Sequence, residues 1–299
     1  MRPAGERFVK FIVNPVSGNG RTRKVLPHLL SLAKRIGLDF DMQLTKAPEH
    51  ATELAREHSS EFDIVVAVGG DGTVNEVAAG AVKSDAVMGV IPTGTGNDFA
   101  RALGRLKSLQ DYVHRIVDGK VKAIDTGVLT LGSRELLFVN GVGVGFDAEV
   151  ARESLHVHGL KGISRYLYAV LKTLSKYKSV RMNIELDDNL LEGKRYLVAV
   201  GNGISAGGGF LLTPDARLDD GLLDVCMVSD LSVGRVLHVL PSVLNGSHGK
   251  YAEVSMRKAR KIRIKSDMPV SIHRDGEVPS EKVNDLELRI DPGSLHIIV

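Results

Sequence analysis

The chain has 299 residues, 43% of them hydrophobic and 25% charged, with a net charge of only +3. That mix excludes a disordered or fibrous protein, and the charge is too small for a nucleic-acid wrapper. With 5% aromatics, no tryptophan and no binding motif, no nucleic-acid partner is expected.

A single cysteine, Cys226, excludes an internal disulfide and a Cys-rich zinc site. No run of about 18 uncharged apolar residues is present to cross a bilayer. The first residues lack the long apolar core of a secretion signal. A cytoplasmic protein is expected, meeting any lipid from the aqueous side.

Phe8–Val13 is a short β-type run ending at Asn14-Pro15. Val25, Leu29, Leu32 and Ile36 then share one face of a helix that Gly37 stops. Phe40, Met42 and Leu44 alternate with polar residues as in a strand. Ala51, Leu54, Ala55 and His58 fall at helical spacing. Residues 63–68 form a continuous apolar run, the pattern of a buried parallel strand. A helix over 73–82, a strand over 88–91 and a helix over 97–103 complete a βαβα rhythm, which predicts a doubly wound α/β domain.

Near Thr126 the rhythm changes. Strand-like segments at Val121–Leu131, 135–142, 181–186, 196–200, 222–228 and 261–264 follow without a helix between each pair. An antiparallel β-sandwich-type domain is predicted, interrupted by helices at 163–177 and 233–244. The expected division is 1–126 and 127–288, with 289–299 assigned as a candidate return to the first domain.

Three turns carry the chemistry. Gly69, Gly70, Asp71, Gly72, Thr73, Val74 and Asn75 begin where the 63–68 strand ends and lead into a helix. Glycines there let the backbone approach a phosphate, and the helix N-terminus favours an anion. Asp71 would repel a phosphate, so beside one it suits a cation or a hydroxyl proton; alone it could simply cap the helix. A second turn, 91–99, repeats the design. Its Thr95 can bond a phosphate or ribose, and its Asn97 and Asp98 can cap a helix or bind. The third is Asn14, Pro15, Val16, Ser17 and Gly18, after the first strand. In an open α/β sheet such turns meet at the carboxyl ends of the strands. No Walker Gly-Lys-Ser/Thr occurs in these turns, and the first lacks the dinucleotide G-x-G-x-x-G spacing.

The segments GGDGTVNEV, PTGTGNDFA and NPVSG resemble the signatures of the diacylglycerol kinase catalytic family, and the resemblance runs nearly end to end. The first motif is shared with NAD kinases and 6-phosphofructokinases. The resemblance implies an ATP-dependent phosphotransferase with a lipid alcohol, diacylglycerol or a relative, as acceptor. It also implies Mg²⁺, peripheral contact with a membrane surface and a role in phospholipid metabolism. ATP contacts are implied at 14–18, Thr45, 69–75 and Thr95, with Asp71 and Asp98 near the chemistry. The family's Asp-Gly-Glu matches Asp275-Gly276-Glu277, implying Glu277 as general base across a cleft, with Asp275 as second candidate or orienting partner. His273-Arg274 stands where more apolar residues would be expected, and Arg274 could lower a neighbouring carboxylate's pKa.

The acidic stretch 214–224 reads as a solvated turn or a seat for a hard cation. The family implies structural Mg²⁺ there, held by the Asp220 side chain and the carbonyls of Arg217 and Leu222. Glycine-rich segments 139–146 and 201–212 are candidates to line a lipid groove, or strand ends needing close backbone approach.

A basic run from Arg257 to Lys265 reads as a solvated strand face or a lipid-headgroup attractor. The helix through Tyr166, Leu167, Tyr168, Val170, Leu171 and Leu174 is amphipathic, and reads as core packing ahead of a membrane face. His156 and His158 read as surface residues. Two rivals stand: an NAD-kinase-like nucleotide kinase, and a non-catalytic lipid- or nucleotide-binding regulator. A homodimer and the identity of the lipid are left open.

Overall fold

The computed structural model describes residues 7–157, 159–160 and 162–299. The chain forms two compact units: Met1–Ile124 with Gly293–Val299, and Asp125–Pro292. His158 lies outside the described residues.

The first unit runs β1 (Phe8–Val13), α1 (Ser17–Arg35), β2 (Asp39–Leu44), α2 (His50–His58), β3 (Ile64–Gly69), α3 (Asp71–Ala81), β4 (Val87–Pro92), α4 (Asp98–Ala102) and α5 (Leu109–Asp118). β1 pairs in parallel with β2 on one side and β3 on the other, and β3 pairs in parallel with β4. The strand order is therefore β4-β3-β1-β2. Beyond β4, Ile297 pairs in parallel with Met88.

β1 and β3 are buried along almost their whole length, which explains the apolar run of β3 and the mostly apolar β1, whose one charge, the buried Lys10, pairs with Asp41 at 2.5 Å. Val9, Phe11, Ile64, Val66, Leu29 and Ile116 meet in one core. α5 was not expected, although its signal is in the sequence. Ser108 and Asp111 form a reciprocal capping box, and Tyr112, Val113 and Ile116 fall on one buried face.

The second unit continues with β5 (Val121–Leu131, whose first residues belong to the first unit), β6 (Arg134–Phe138), β7 (Gly141–Gly145), α6 (Phe146–Leu155), α7 (Gly162–Leu174), β8 (Val180–Leu186), β9 (Asn189–Gly201), β10 (Leu223–Ser229), α8 (Val233–Val243), β11 (Val254–Ala259), β12 (Lys261–Val270), β13 (Ile272–Arg274) and β14 (Val283–Ile298). Its pairings are antiparallel: β11-β10-β9-β8-β12-β14 in sequence across the sheet, with β7 bridging β9 and β13, and β5 pairing β6.

Phe138, Val144, Ile184, Val198, Ile264 and Leu286 belong to one core. A second core packs α6, α7 and α8 on β9, β10 and β11 through Phe146, Val150, Val170, Tyr196, Cys226 and Val236. The sandwich-type architecture holds, but several elements differ from expectation. The strand expected over 135–142 is two strands, β6 and β7, because the backbone turns aside at Val139 and Asn140 to donate to a distant carboxylate. α6, β11, β13 and β14 were not foreseen, and the helix expected to reach 177 ends at Leu174.

Candidate active site

The strand order reverses between β1 and β3, the switch point where open α/β sheets bind ligands. The turns after these two strands touch: Asn14 Nδ2 donates to Thr73 Oγ1 at 3.0 Å. The turn after β4 joins them. Thr93 N donates to Gly69 O at 2.7 Å, and the hydroxyls of Thr22 and Thr93 lie 2.5 Å apart. A Cβ on Gly94 would stand 2.5 Å from Gly70 Cα, so these two backbones meet only because neither residue has a side chain. Gly18, Asn19 and Gly20 all take left-handed backbone (φ 61, 57 and 79°) as the first turn bends into α1. The segments 14–18, 69–75 and 93–97 thus form one cluster at the start of α3, where the helix dipole favours an anion. Thr45 closes β2, its N–H donating to Val13 O at 2.9 Å. Thr95 is exposed.

Asp71 is tied to the next turn: its Oδ1 accepts from Phe99 N at 3.2 Å, in the first turn of α4. Asp98 is buried, with Arg101 Nη1 4.0 Å from its Oδ1. A Cβ on Gly96 would sit 2.7 Å from Asp71 Oδ2 and 3.4 Å from Asp98 Oδ2. The two carboxylates therefore flank one small space, a donor set that fits a hard divalent cation.

In the second unit, Arg274 to Glu277 close a two-residue turn, with paired backbone bonds of 2.9 and 2.8 Å. Asp275 and Gly276 both have positive φ (48 and 85°), the primed hairpin geometry for which Asp-Gly is suited. The buried Asp275 carboxylate accepts from the backbone N–H of Val139 (2.9 Å), Asn140 (3.0 Å) and Gly141 (2.7 Å). Burial pushes its pKa up, against those three bonds and the Arg274 charge. Its oxygens are committed to the backbone, which leaves Glu277 as the accessible carboxylate of the turn. Arg274 Nη2 donates to Glu277 Oε2 at 2.7 Å.

His273 is buried because it has a partner: its Nε2 lies 2.7 Å from Asp147 Oδ2. Tyr166 donates its hydroxyl to Asp147 Oδ1. Burial alone would raise Asp147, but His273 and the bonds from His273 and Tyr166 outweigh it and hold the carboxyl below its ordinary value. Gly143 leaves the room, since a Cβ there would lie 2.2 Å from His273 Nε2. Nothing in the local sequence around His273 or Asp147 pointed to this pair.

The walls of an apolar pocket are built from both glycine-rich segments and from α7 and α8, including Phe146, Tyr166, Phe210, Leu212, Val236 and Val239. Cys226 is part of its lining; burial pushes the thiol up to about 12, so it is an inert apolar group. The same helices turn apolar side chains outward: Leu167, Tyr168 and Leu171 on α7, and Val233 and Leu237 on α8 are exposed, as is Leu244 at its end. α7 thus buries one face, through Val170 and Leu174, and exposes the other, as an amphipathic helix does.

The acidic turn does not match its implied metal set. Lys258 Nζ sits 2.8 Å from Asp220 Oδ2, while Asp220 Oδ1 accepts from Leu222 N at 3.2 Å. Both oxygens of the one side chain assigned to the cation are engaged, so the residues present do not fit a metal there. Among the described residues no group of three or more His, Cys, Asp or Glu is placed to hold one. In the basic run, Arg263 pairs with Asp285 and Glu287 and Lys258 with two aspartates, so much of its charge is neutralised within the protein. Among the described residues no helix is long and apolar enough to cross a membrane.

This arrangement, phosphate-suited turns on an α/β sheet followed by a β-sandwich-type unit, defines a class of phosphotransferases. Residues 9–129 match the diacylglycerol kinase catalytic domain and residues 140–299 the YegS C-terminal NAD kinase beta sandwich-like domain. A diacylglycerol kinase of Staphylococcus epidermidis is 32% identical over 90% of this chain and 85% of its own. One of Staphylococcus aureus is 30% identical over 94% and 90%. A solved Bacillus anthracis structure superposes with TM-score 0.80 at 25% identity, covering 99% of this chain and 96% of its own. The chain belongs to the diacylglycerol kinase catalytic family, a family of lipid-kinase phosphotransferases.

Proposed function

We propose that this protein transfers the γ-phosphoryl group of ATP to the hydroxyl of a membrane lipid of the diacylglycerol type. The observation that carries the reading is the convergence of 14–18, 69–75 and 93–97 at the sheet's switch point, with Asp71 and Asp98 beside them. Backbone N–H groups of 69–73 and of Gly18, with the Ser17 hydroxyl beside Gly70, bind the phosphates; Thr45 and Thr95 contact the nucleotide. Asp71 and Asp98 are the residues that would hold Mg²⁺, which when bound neutralises charge on the phosphates.

Glu277 is the general base. It takes the proton of the lipid hydroxyl as that oxygen bonds to the γ-phosphorus and the bond to the β,γ-bridging oxygen breaks, releasing ADP. Asp275 acts as the staple that fixes the turn bearing Glu277. Arg274 orients Glu277 through its 2.7 Å bond to Oε2. The apolar pocket takes acyl chain, and the exposed apolar faces of α7 and α8 rest on the bilayer from which the lipid is drawn. That apolar pocket favours a lipid over NAD, whose polar groups it could not satisfy.

The test is incubation with radiolabelled ATP and either mixed micelles of candidate lipids or NAD, followed by chromatography of the products. Labelled lipid is expected, and labelled NAD phosphate without labelled lipid would overturn the assignment. Glu277→Gln should bind ATP normally and lose turnover by about 10²–10⁴-fold.

A further inference from the structure

Lys258 occupies the place where a cation was expected. Asp224 on β10 and Lys258 on β11 are directly opposed across the antiparallel pair. From there the lysine reaches Asp220 at 2.8 Å and Asp224 at 3.0 Å, joining the acidic turn to the strand that follows it. Asp224 is 5% exposed and Asp220 22%, so both need a positive partner close by. The rest of the turn is also held from within. Gly221 N donates to the buried Asp125 Oδ2 at 2.7 Å, and Asp125 N donates to Leu218 O at 2.6 Å. A divalent ion on Asp220 would have to displace the ammonium, and the displacement would strip Asp224 of its counter-charge.

We propose that in this protein the Lys258 ammonium does the structural work that the family resemblance assigns to Mg²⁺ at this turn, and that the β-rich unit holds its acidic turn without a divalent cation. The lysine is a tethered monovalent cation that cannot be chelated away. Its position is set by β11, so the turn is secured once the β10–β11 pair forms. The proposal concerns architecture and does not depend on which lipid is phosphorylated.

The experiment uses the full chain without nucleotide. Thermal melting is followed in EDTA and in millimolar Mg²⁺, and Mn²⁺ binding is counted by electron paramagnetic resonance. Wild type and Asp220→Asn should show the same Mg²⁺-induced melting shift and bind the same number of Mn²⁺ ions. A bound ion or a shift that disappears in Asp220→Asn would overturn the proposal. In EDTA, Lys258→Met should melt about 5 °C lower than wild type, because the buried carboxylate loses its partner. Lys258→Arg should recover most of that loss. A Lys258→Met protein as stable as wild type in EDTA would also overturn it. If Lys258→Met does not fold, the comparison of wild type with Asp220→Asn still decides.

Discussion

Asp275 offers the sharpest test of how the second unit is built. Three backbone N–H groups point at its carboxylate, two at Oδ1 and one at Oδ2. Hydrogen bonds to a charged group contribute about 1.5–3 kcal/mol each. Asparagine keeps one acceptor oxygen but turns its NH₂ toward the donor that faced the other, so Asp275→Asn should lose about 3 kcal/mol. Asparagine also tolerates the φ of 48°. Alanine removes every acceptor and adds about 1–2 kcal/mol of left-handed strain, giving about 6 kcal/mol or more for Asp275→Ala. Urea denaturation followed by circular dichroism measures the totals. Hydrogen exchange reads the cause, with protection at residues 139–141 falling about 100-fold in Asp275→Asn, since each factor of ten is about 1.4 kcal/mol. Both variants within about 0.5 kcal/mol of wild type, with 139–141 still protected, would refute the staple.

Other perturbations probe other parts. Gly94→Ala places a methyl against Gly70 and should part the two turns, weakening a fluorescent ATP analogue by about tenfold or more in titration, about the energy of a forced overpacking. Because Asp147 is held below its ordinary pKa, its ionised form supports the fold at neutral pH, and that support is lost as pH falls through the lowered value. The stability gap between wild type and Asp147→Asn should therefore be widest at pH 7 and close below about pH 4, read by denaturation across pH. Leu237→Asp should reduce co-flotation with vesicles by about tenfold, from the loss of about 1.5–3 kcal/mol of apolar burial, while leaving ATP binding intact.

What could be read from the sequence was local. β3 and β4 announce themselves as apolar runs and β1 as a β-type run around Lys10, and the turns after them as clusters of glycine and small polar residues where a strand yields to a helix. The glycine pair Gly70 and Gly94 was visible, though its reason, backbone against backbone, was not. Contacts between distant residues stayed hidden. Asp275 divides a predicted strand by binding residues 139–141; Lys258 answers Asp220; His273 is buried because Asp147 awaits it. In each case the local sequence is a charge with no visible partner, and folding supplies one. α5 was the exception: its capping box lay in plain sight at Ser108 and Asp111.

The end of β14 has a consequence for how the protein comes into being. Leu295, Ile297 and Ile298 are buried in the first unit, Ile297 beside β4, and Val299 exchanges backbone bonds with Lys120. On the ribosome, the residues of β1 to β4 and of α1 to α5 emerge long before these residues exist. The flank of β4 waits open while the whole of Asp125–Pro292 is synthesised. A nascent chain arrested within that span carries a bare, apolar strand edge, a natural target for chaperones and a natural seed for misassembly.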